Sequence, residues 1–144
     1  MISGGMSFPF FEEIREKRGY CYSVSAYLVE YTDLGYFVVT METSPATYKD
    51  ALALAFDIMH REKRNAELLE RAKGSIRGGF KRISDTGQRL DRAAKDIMLW
   101  GAPRTPAEMI AAFDAVTIQD IEVAVDRYLR PEQFYTGIVL PKKS

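Results

Sequence analysis

The chain has one cysteine, one histidine and one tryptophan in 144 residues. The lone Cys21 excludes an internal disulfide framework and a multi-cysteine zinc site. A catalytic zinc centre draws three protein ligands, commonly two histidines and a carboxylate, so a chain with only His60 holds no such metal by itself. Charge of one sign is not in excess either: 20 basic residues meet 20 acidic ones, and no global field directs the chain to nucleic acid or an anionic membrane. No apolar run approaches the roughly 18 residues of a membrane span, and the opening "MISGGMSFPFF" lacks the basic and apolar regions of a signal peptide. These absences describe a soluble chain without a nucleic-acid or membrane partner. One cysteine is compatible with a reducing compartment, which slightly favours the cytoplasm without deciding it. Gly4 and Gly5 precede a helix, but no lysine completes a phosphate-binding loop. Internal repeats, low-complexity tracts and proline-rich linkers are lacking as well.

What is present suits a folded core. The 47% hydrophobic and 12% aromatic content is enough for one globular domain or a piece of one. Ser7 is a candidate helix cap and Pro9 fits a first-turn position. Phe8, Phe11, Ile14, Arg15 and Arg18 keep helical spacing up to Gly19, a C-terminal stop. Glu13 and Lys17 form an i,i+4 pair on the wet side. From Tyr20 to Tyr31 the period changes to two, with Tyr20, Tyr22, Val24, Ala26 and Leu28 on one face and Cys21, Ser23, Ser25, Tyr27 and Val29 on the other. "TDLG" at 32–35 is a turn, and "YFVVTMET" at 36–43 is a second strand that pairs back as a hairpin.

The remainder reads as helical. One helix begins after Ser44 with Pro45 at its first position and carries Ala51, Leu52, Leu54, Ala55, Ile58 and Met59 toward the sheet. Asn65 caps another with Leu68, Leu69, Ala72, Ile76 and Phe80 in register. Its Gly74, Gly78 and Gly79 imply either a closely packed neighbour or an end near Gly78, because glycine in a helix interior costs about 1 kcal/mol relative to alanine. After "SDTG" a helix carries Leu90, Ala93, Ala94, Ile97 and Met98 and stops at Gly101. "TPAE" at 105–108 and "TIQD" at 117–120 are capping boxes for helices over 106–114 and 118–129. After "RPE", "QFYTGIVL" at 133–140 is expected as a closing strand. The fold class is α+β: an antiparallel sheet with helices packed on one face. Three strands are few for so many amphipathic helices, so residues 1–144 read as a single partial domain, incomplete at its N-terminus. Further strands would come from sequence before Met1 or from another chain.

The chemically notable side chains each have a plain structural reading. His60, near a helix C-terminus, reads as solvated and favoured by the helix dipole. Cys21, with no histidine nearby, reads as a buried or half-buried thiol. Arg61, Lys63, Arg64, Arg71, Lys73, Arg77, Lys81 and Arg82 lack interleaved aromatics and read as a solvated surface. Met98, Met109 and Phe113 read as core. Arg15 in a last helical turn is stabilised by the dipole, and Tyr22 in a strand is packing.

The order and spacing of larger blocks add to this. "GGMSFPFFEEIREKRGYCYSV", "YTDLGYFVV", "AELLERAKGSI", "LDRAAKDIMLWGAP" and "IAAFDAVTIQDIEVAVDRYL" together resemble the C-terminal half-domain of the zinc peptidase family that includes pitrilysin, insulin-degrading enzyme and mitochondrial processing peptidase. The likeness runs from Gly4 to Leu129, and its most specific element is the helix–glycine–strand segment. In that family two similar domains face each other around a chamber. One carries zinc on an HxxEH motif with a distant glutamate; the other supplies an arginine and a tyrosine seven residues apart that hydrogen-bond the substrate near the scissile bond. The resemblance places these roles on Arg15 and Tyr22. Charge develops on the carbonyl oxygen in the transition state of such a hydrolase, and a guanidinium and a phenol on rigid elements stabilise it. Ser23 and Ser25 are then candidates to contact an extended peptide.

The resemblance therefore implies no cofactor in this chain, zinc in a partner domain or subunit, a peptide substrate, and a homo- or hetero-oligomer. This chain departs from the common "SSRLFQEIREKRG" with "MSFPFFEEIREKRG", so Phe8 and Pro9 replace a capping serine and an arginine. Two other readings stand beside this one: a non-catalytic assembly subunit of the same fold, like the core subunits of respiratory complexes, and a small binding protein that self-associates through sheet edges.

Overall fold

The structure, a computed structural model, describes residues 1–82 and 86–140. It opens with a π-helix over Phe10–Lys17, in which N–H groups reach back five residues rather than four. Pro9 rather than Ser7 occupies the cap position. The expected stripe of Phe8, Phe11 and Ile14 is redistributed by the wider turn. Phe10 and Ile14 are buried in the main core, whereas Phe8 joins Leu68 and Ala72 in a second cluster. Gly19 ends the helix in the left-handed region at φ +61°. Its N–H donates to the Arg15 carbonyl and that of Tyr20 to the Ile14 carbonyl, both at 2.9 Å, which directs the chain into the first strand.

Strands β1 (Cys21–Glu30) and β2 (Gly35–Thr43) pair antiparallel, and the Tyr31 N–H closes the turn on the Leu34 carbonyl at 2.9 Å. The register steps from Cys21 opposite Thr43 to Ser23 opposite Glu42. Tyr22 is therefore the extra residue of a β-bulge. This corrects the face assignment made from strict alternation: the bulge reverses parity, so Cys21 shares the core side with Val24 and Ala26 while Tyr22 points to solvent. On the outer edge of β1, the Ala26 N–H donates to Ser3 Oγ at 3.1 Å.

Helix α1 (Tyr48–Arg61) lies on the hairpin, and its Ala51, Ala55, Ile58 and Met59 form the core with Phe10 and Ile14. It starts at Tyr48, three residues later than Pro45 suggests, because Ser44–Thr47 is held as a turn. The Thr47 hydroxyl meets Thr43 Oγ1 at 3.0 Å and Ser44 Oγ at 2.8 Å, and Thr43 Oγ1 donates to the Tyr20 carbonyl at 2.6 Å. A single 3-10 turn at Glu62–Arg64 leads to α2 (Ala66–Arg82), where Asn65 Oδ1 accepts from the Leu68 N–H at 2.9 Å as the cap reading requires. Helix α2 runs unbroken past its glycines, and a Cβ at Gly74 or Gly79 would meet nothing within 4 Å. Neither the helix end near Gly78 nor close packing at these two positions is what the structure shows.

Helices α3 (Thr86–Trp100), α4 (Pro106–Asp114) and α5 (Ile118–Tyr128) follow. Both capping boxes form, with Glu108 N–H to Thr105 Oγ1 and Asp120 N–H to Thr117 Oγ1, each at 3.2 Å. Ser84 and Asp85 of the "SDTG" segment, and the side chains of Lys81, Arg82 and Thr86, fall outside the described set. Met109 is buried, but Met98 is 80% exposed and Phe113 40%, so these two are not core. Residues 134–140 carry no strand pairing; the expected closing strand is absent because, among the described residues, the sheet contains only β1 and β2. The segment is instead held at its start, where the Phe134 ring stands edge-on to Phe56 and Phe37. The architecture is α+β, as the sequence predicts. No helix among the described residues is long and apolar enough to cross a membrane.

Candidate functional site

Arg15 projects from the last turn of the π-helix, and Tyr22 from the bulge beyond Gly19. The Arg15 guanidinium carbon lies 4.7 Å from the Phe11 ring centroid and 5.4 Å from that of Tyr22, within the range of a favourable cation–π contact. An ion pair between Arg15 Nε and Glu16 Oε1 at 3.6 Å steadies the other side. Tyr22 is 76% exposed. The bulge leaves it without a residue opposite on β2, so its phenol is offered to solvent beside the guanidinium. Two kinds of hydrogen-bond donor thus sit together on a surface anchored by buried Ile14 and Cys21 on either side of the glycine.

Ser23 lies opposite Glu42 and Ser25 opposite Thr40. Both are on the face away from α1, and Ser25 is the more open of the two. Cys21, next to Tyr22, is buried, and that burial pushes its thiol pKa up, with the nearby Arg15 charge pulling weakly the other way. A thiol held protonated is a poor nucleophile.

His60 is not simply solvated: its Nε2 is 3.0 Å from the Leu129 carbonyl, so it ties the end of α1 to the end of α5. The basic residues are mostly paired. Arg61 reaches Glu13 at 2.6 Å and Asp57 at 2.9 Å, Arg77 reaches Asp114 at 2.8 Å, and Lys63 and Arg64 pair with Asp126 and Glu122 of α5. This is a surface knitted to itself rather than a row of open cations. Among the described residues no three His, Cys, Asp or Glu side chains converge on a point that could hold a metal ion.

The sequence model of the peptidase M16 inactive domain matches residues 1–76. The chain belongs to this family. The M16 match takes in the π-helix, the hairpin, α1 and the first part of α2. An uncharacterized zinc protease of Streptomyces coelicolor is 32% identical over 99% of this chain and 32% of its own length. Another, from Mycobacterium tuberculosis, is 27% identical over 99% of this chain and 33% of its own length. The chain therefore spans about a third of the curated relatives it matches. Among solved structures, the peptidase M16 inactive domain from Pseudomonas fluorescens superposes with a TM-score of 0.71 at 19% identity, over 90% of this chain and 32% of that one. The periplasmic protease PqqL of Escherichia coli gives 0.59 at 17% identity, over 83% and 14%. These likenesses show that this M16 chain has the fold of the inactive domain.

Sequence reasoning named Arg15 and Tyr22 but missed what aims them. A bulge is visible only in the pairing register, and the one local hint was the mismatch between a strictly alternating reading and a cysteine expected to be buried.

Proposed function

We propose that the chain is the substrate-binding half of a zinc-dependent metalloendopeptidase, whose HxxEH zinc site lies on another domain or subunit. The observation that carries this reading is the Arg15–Tyr22 pair: a guanidinium and a phenol brought face to face by a π-helix, a left-handed glycine and a β-bulge. In this reading both groups donate hydrogen bonds to the carbonyl oxygen of the scissile peptide, and they strengthen as negative charge builds there. Ser23 and Ser25 flank an extended peptide that continues along the outer face of β1. In this reading the zinc comes from that other domain or subunit, since no group of three His, Cys, Asp or Glu side chains among the described residues is placed to hold it.

The test is cleavage of a quenched fluorescent peptide by the chain combined with a zinc-domain partner. Removing one preorganised donor typically costs about 10²- to 10³-fold in rate, so Arg15→Ala and Tyr22→Phe are each expected to lower kcat/KM by that order with little change in folding. Chelator-sensitive cleavage that survives both substitutions unchanged would remove the role assigned to the pair.

A further inference from the structure

Phe11 has the helical spacing of a core residue, yet it belongs to neither core cluster and is only half-buried. What it touches instead is Arg15, whose guanidinium carbon stands 4.7 Å from the centre of its ring. The two residues lie four apart in a helix whose backbone bonds span five, so nearly one turn separates them and one side chain stacks on the other. Arg15 also lies over Tyr22, at 5.4 Å, but the two rings are not equivalent. Phe11 is mounted on a helix that Ile14 anchors in the core and that the Glu13–Arg61 ion pair, at 2.6 Å, ties to α1. Tyr22 is 76% exposed on a bulge, with nothing opposite it on β2.

A cation held by rings differs from one held by carboxylates. Arg61 donates to Glu13 at 2.6 Å, Arg77 to Asp114 at 2.9 Å and Arg104 to Asp96 at 2.7 Å, and each has spent donors there. Arg15 approaches Glu16 at 3.6 Å, beyond hydrogen-bond reach, and among the described residues no acceptor takes a hydrogen bond from its guanidinium. A ring attracts the face of the guanidinium and leaves the N–H fork in its plane unused. Arg15 is thus held in place without being satisfied.

We infer that Phe11 is the positioning residue of this site: its ring fixes the Arg15 guanidinium by the face, Arg15 in turn steadies Tyr22, and the donors of both stay free for the substrate carbonyl. The support runs in that order because Phe11 stands on an anchored element and Tyr22 does not. The inference rests on the proposed part of Arg15 and Tyr22 in peptide cleavage. There it supplies what an arginine on a long flexible stem lacks, since misplacing a reacting group by about 1 Å costs on the order of 10²-fold in rate.

On the 144-residue chain, heteronuclear NMR follows the Arg15 Nε–H signal and the Tyr22 ring protons, both displaced by the neighbouring rings. Phe11→Leu is expected to return both sets of signals toward those of free side chains. Tyr22→Leu should leave Arg15 in place, and Phe11→Trp should keep the stack. If the amide spectrum shows that Phe11→Leu disturbs the fold, Phe11→Met takes its place. With the zinc-domain partner and the quenched fluorescent peptide, Phe11→Leu is expected to lower kcat by about 10- to 10²-fold with little change in KM, and Phe11→Trp to restore it. In an Arg15→Ala background Phe11→Leu should cost nothing further, because a residue that acts through Arg15 has nothing left to position. Losses that add in that background would overturn the inference. So would an Arg15 signal indifferent to Phe11→Leu, or one that Tyr22→Leu frees as fully. Failure of the peptidase reading has a different signature: the NMR responses appear as expected while neither Arg15→Ala nor Phe11→Leu alters cleavage. In that case Phe11 still positions Arg15, and the pair serves something other than this hydrolysis.

Discussion

The guanidinium of Arg15 rests over the ring of Tyr22, 5.4 Å from carbon to centroid, and the backbone between them sets that approach. Lys17 closes the π-helix, Gly19 turns the chain, Cys21 sinks into the core and the bulge throws Tyr22 outward. The pair is thus a product of backbone geometry.

Gly19→Ala tests the turn. A Cβ there meets nothing within 4 Å, so only the backbone at φ +61° resists it. The left-handed region costs an L-residue roughly 1–2 kcal/mol, and the urea midpoint is expected to fall accordingly with an unchanged slope.

Arg15→Lys separates charge from shape. Lysine keeps the positive charge but loses the planar fork that stacks on the rings of Phe11 and Tyr22 and offers paired donors. In the peptidase proposed above, kcat/KM is expected to fall nearly as far as for Arg15→Ala, with thermal stability moving by less than about 0.5 kcal/mol, as at other surface positions.

Ile58→Ala tests the core that carries the site. Ile58 is fully buried at the centre of the cluster joining α1, the π-helix and the hairpin. Buried Ile→Ala changes cost about 2–5 kcal/mol, and chemical denaturation should read a loss in that range.

Acid should loosen the helical half before the core. Thr105 holds the Glu108 carboxyl below its usual range, Thr117 does the same for Asp120, and Arg104 for Asp96. Each carboxyl binds its proton less readily folded than unfolded, so its stabilisation is present above the unfolded pKa, about 4 for such groups, and is lost as pH falls through the lower folded value. The melting temperature is expected to decline below about pH 4, and Asp120→Asn should flatten that decline.

Cys21 offers a check on the buried side of the bulge. Its thiol is covered and its pKa raised by burial, so a thiol-reactive disulfide reagent should label it slowly in the native chain and rapidly in denaturant. Fast native labelling would place Cys21 on the exposed face instead of Tyr22.

The parts of this architecture readable from residues are those set locally. Thr105 and Thr117 cap as their motifs require, because donor and acceptor lie three residues apart. Asn65 caps for the same reason, and the turn at 32–35 follows from its polar residues. The parts that were not readable depend on distant partners. The bulge at Tyr22 exists only relative to β2. Residues 134–140 have strand composition but no strand partner among the described residues. Met98 has the spacing of a core residue, yet it lies on a side of α3 that no element covers among the described residues. His60 looked solvent-bound until the end of α5 arrived beside it. Arg15 and Tyr22 were legible as a spaced pair, but their meeting was not, since helical and strand periods say nothing of how a π-turn and a bulge combine.

A strand residue whose side chain has no partner opposite it is free to change. Because the bulge takes Tyr22 out of the pairing between β1 and β2, its side chain can be exchanged over generations without unfolding the hairpin. The fold therefore holds position 22 as a variable socket. Closely similar scaffolds could gain or lose chemistry there by a single substitution, and a lineage that keeps the tyrosine does so for what it touches rather than for what it supports.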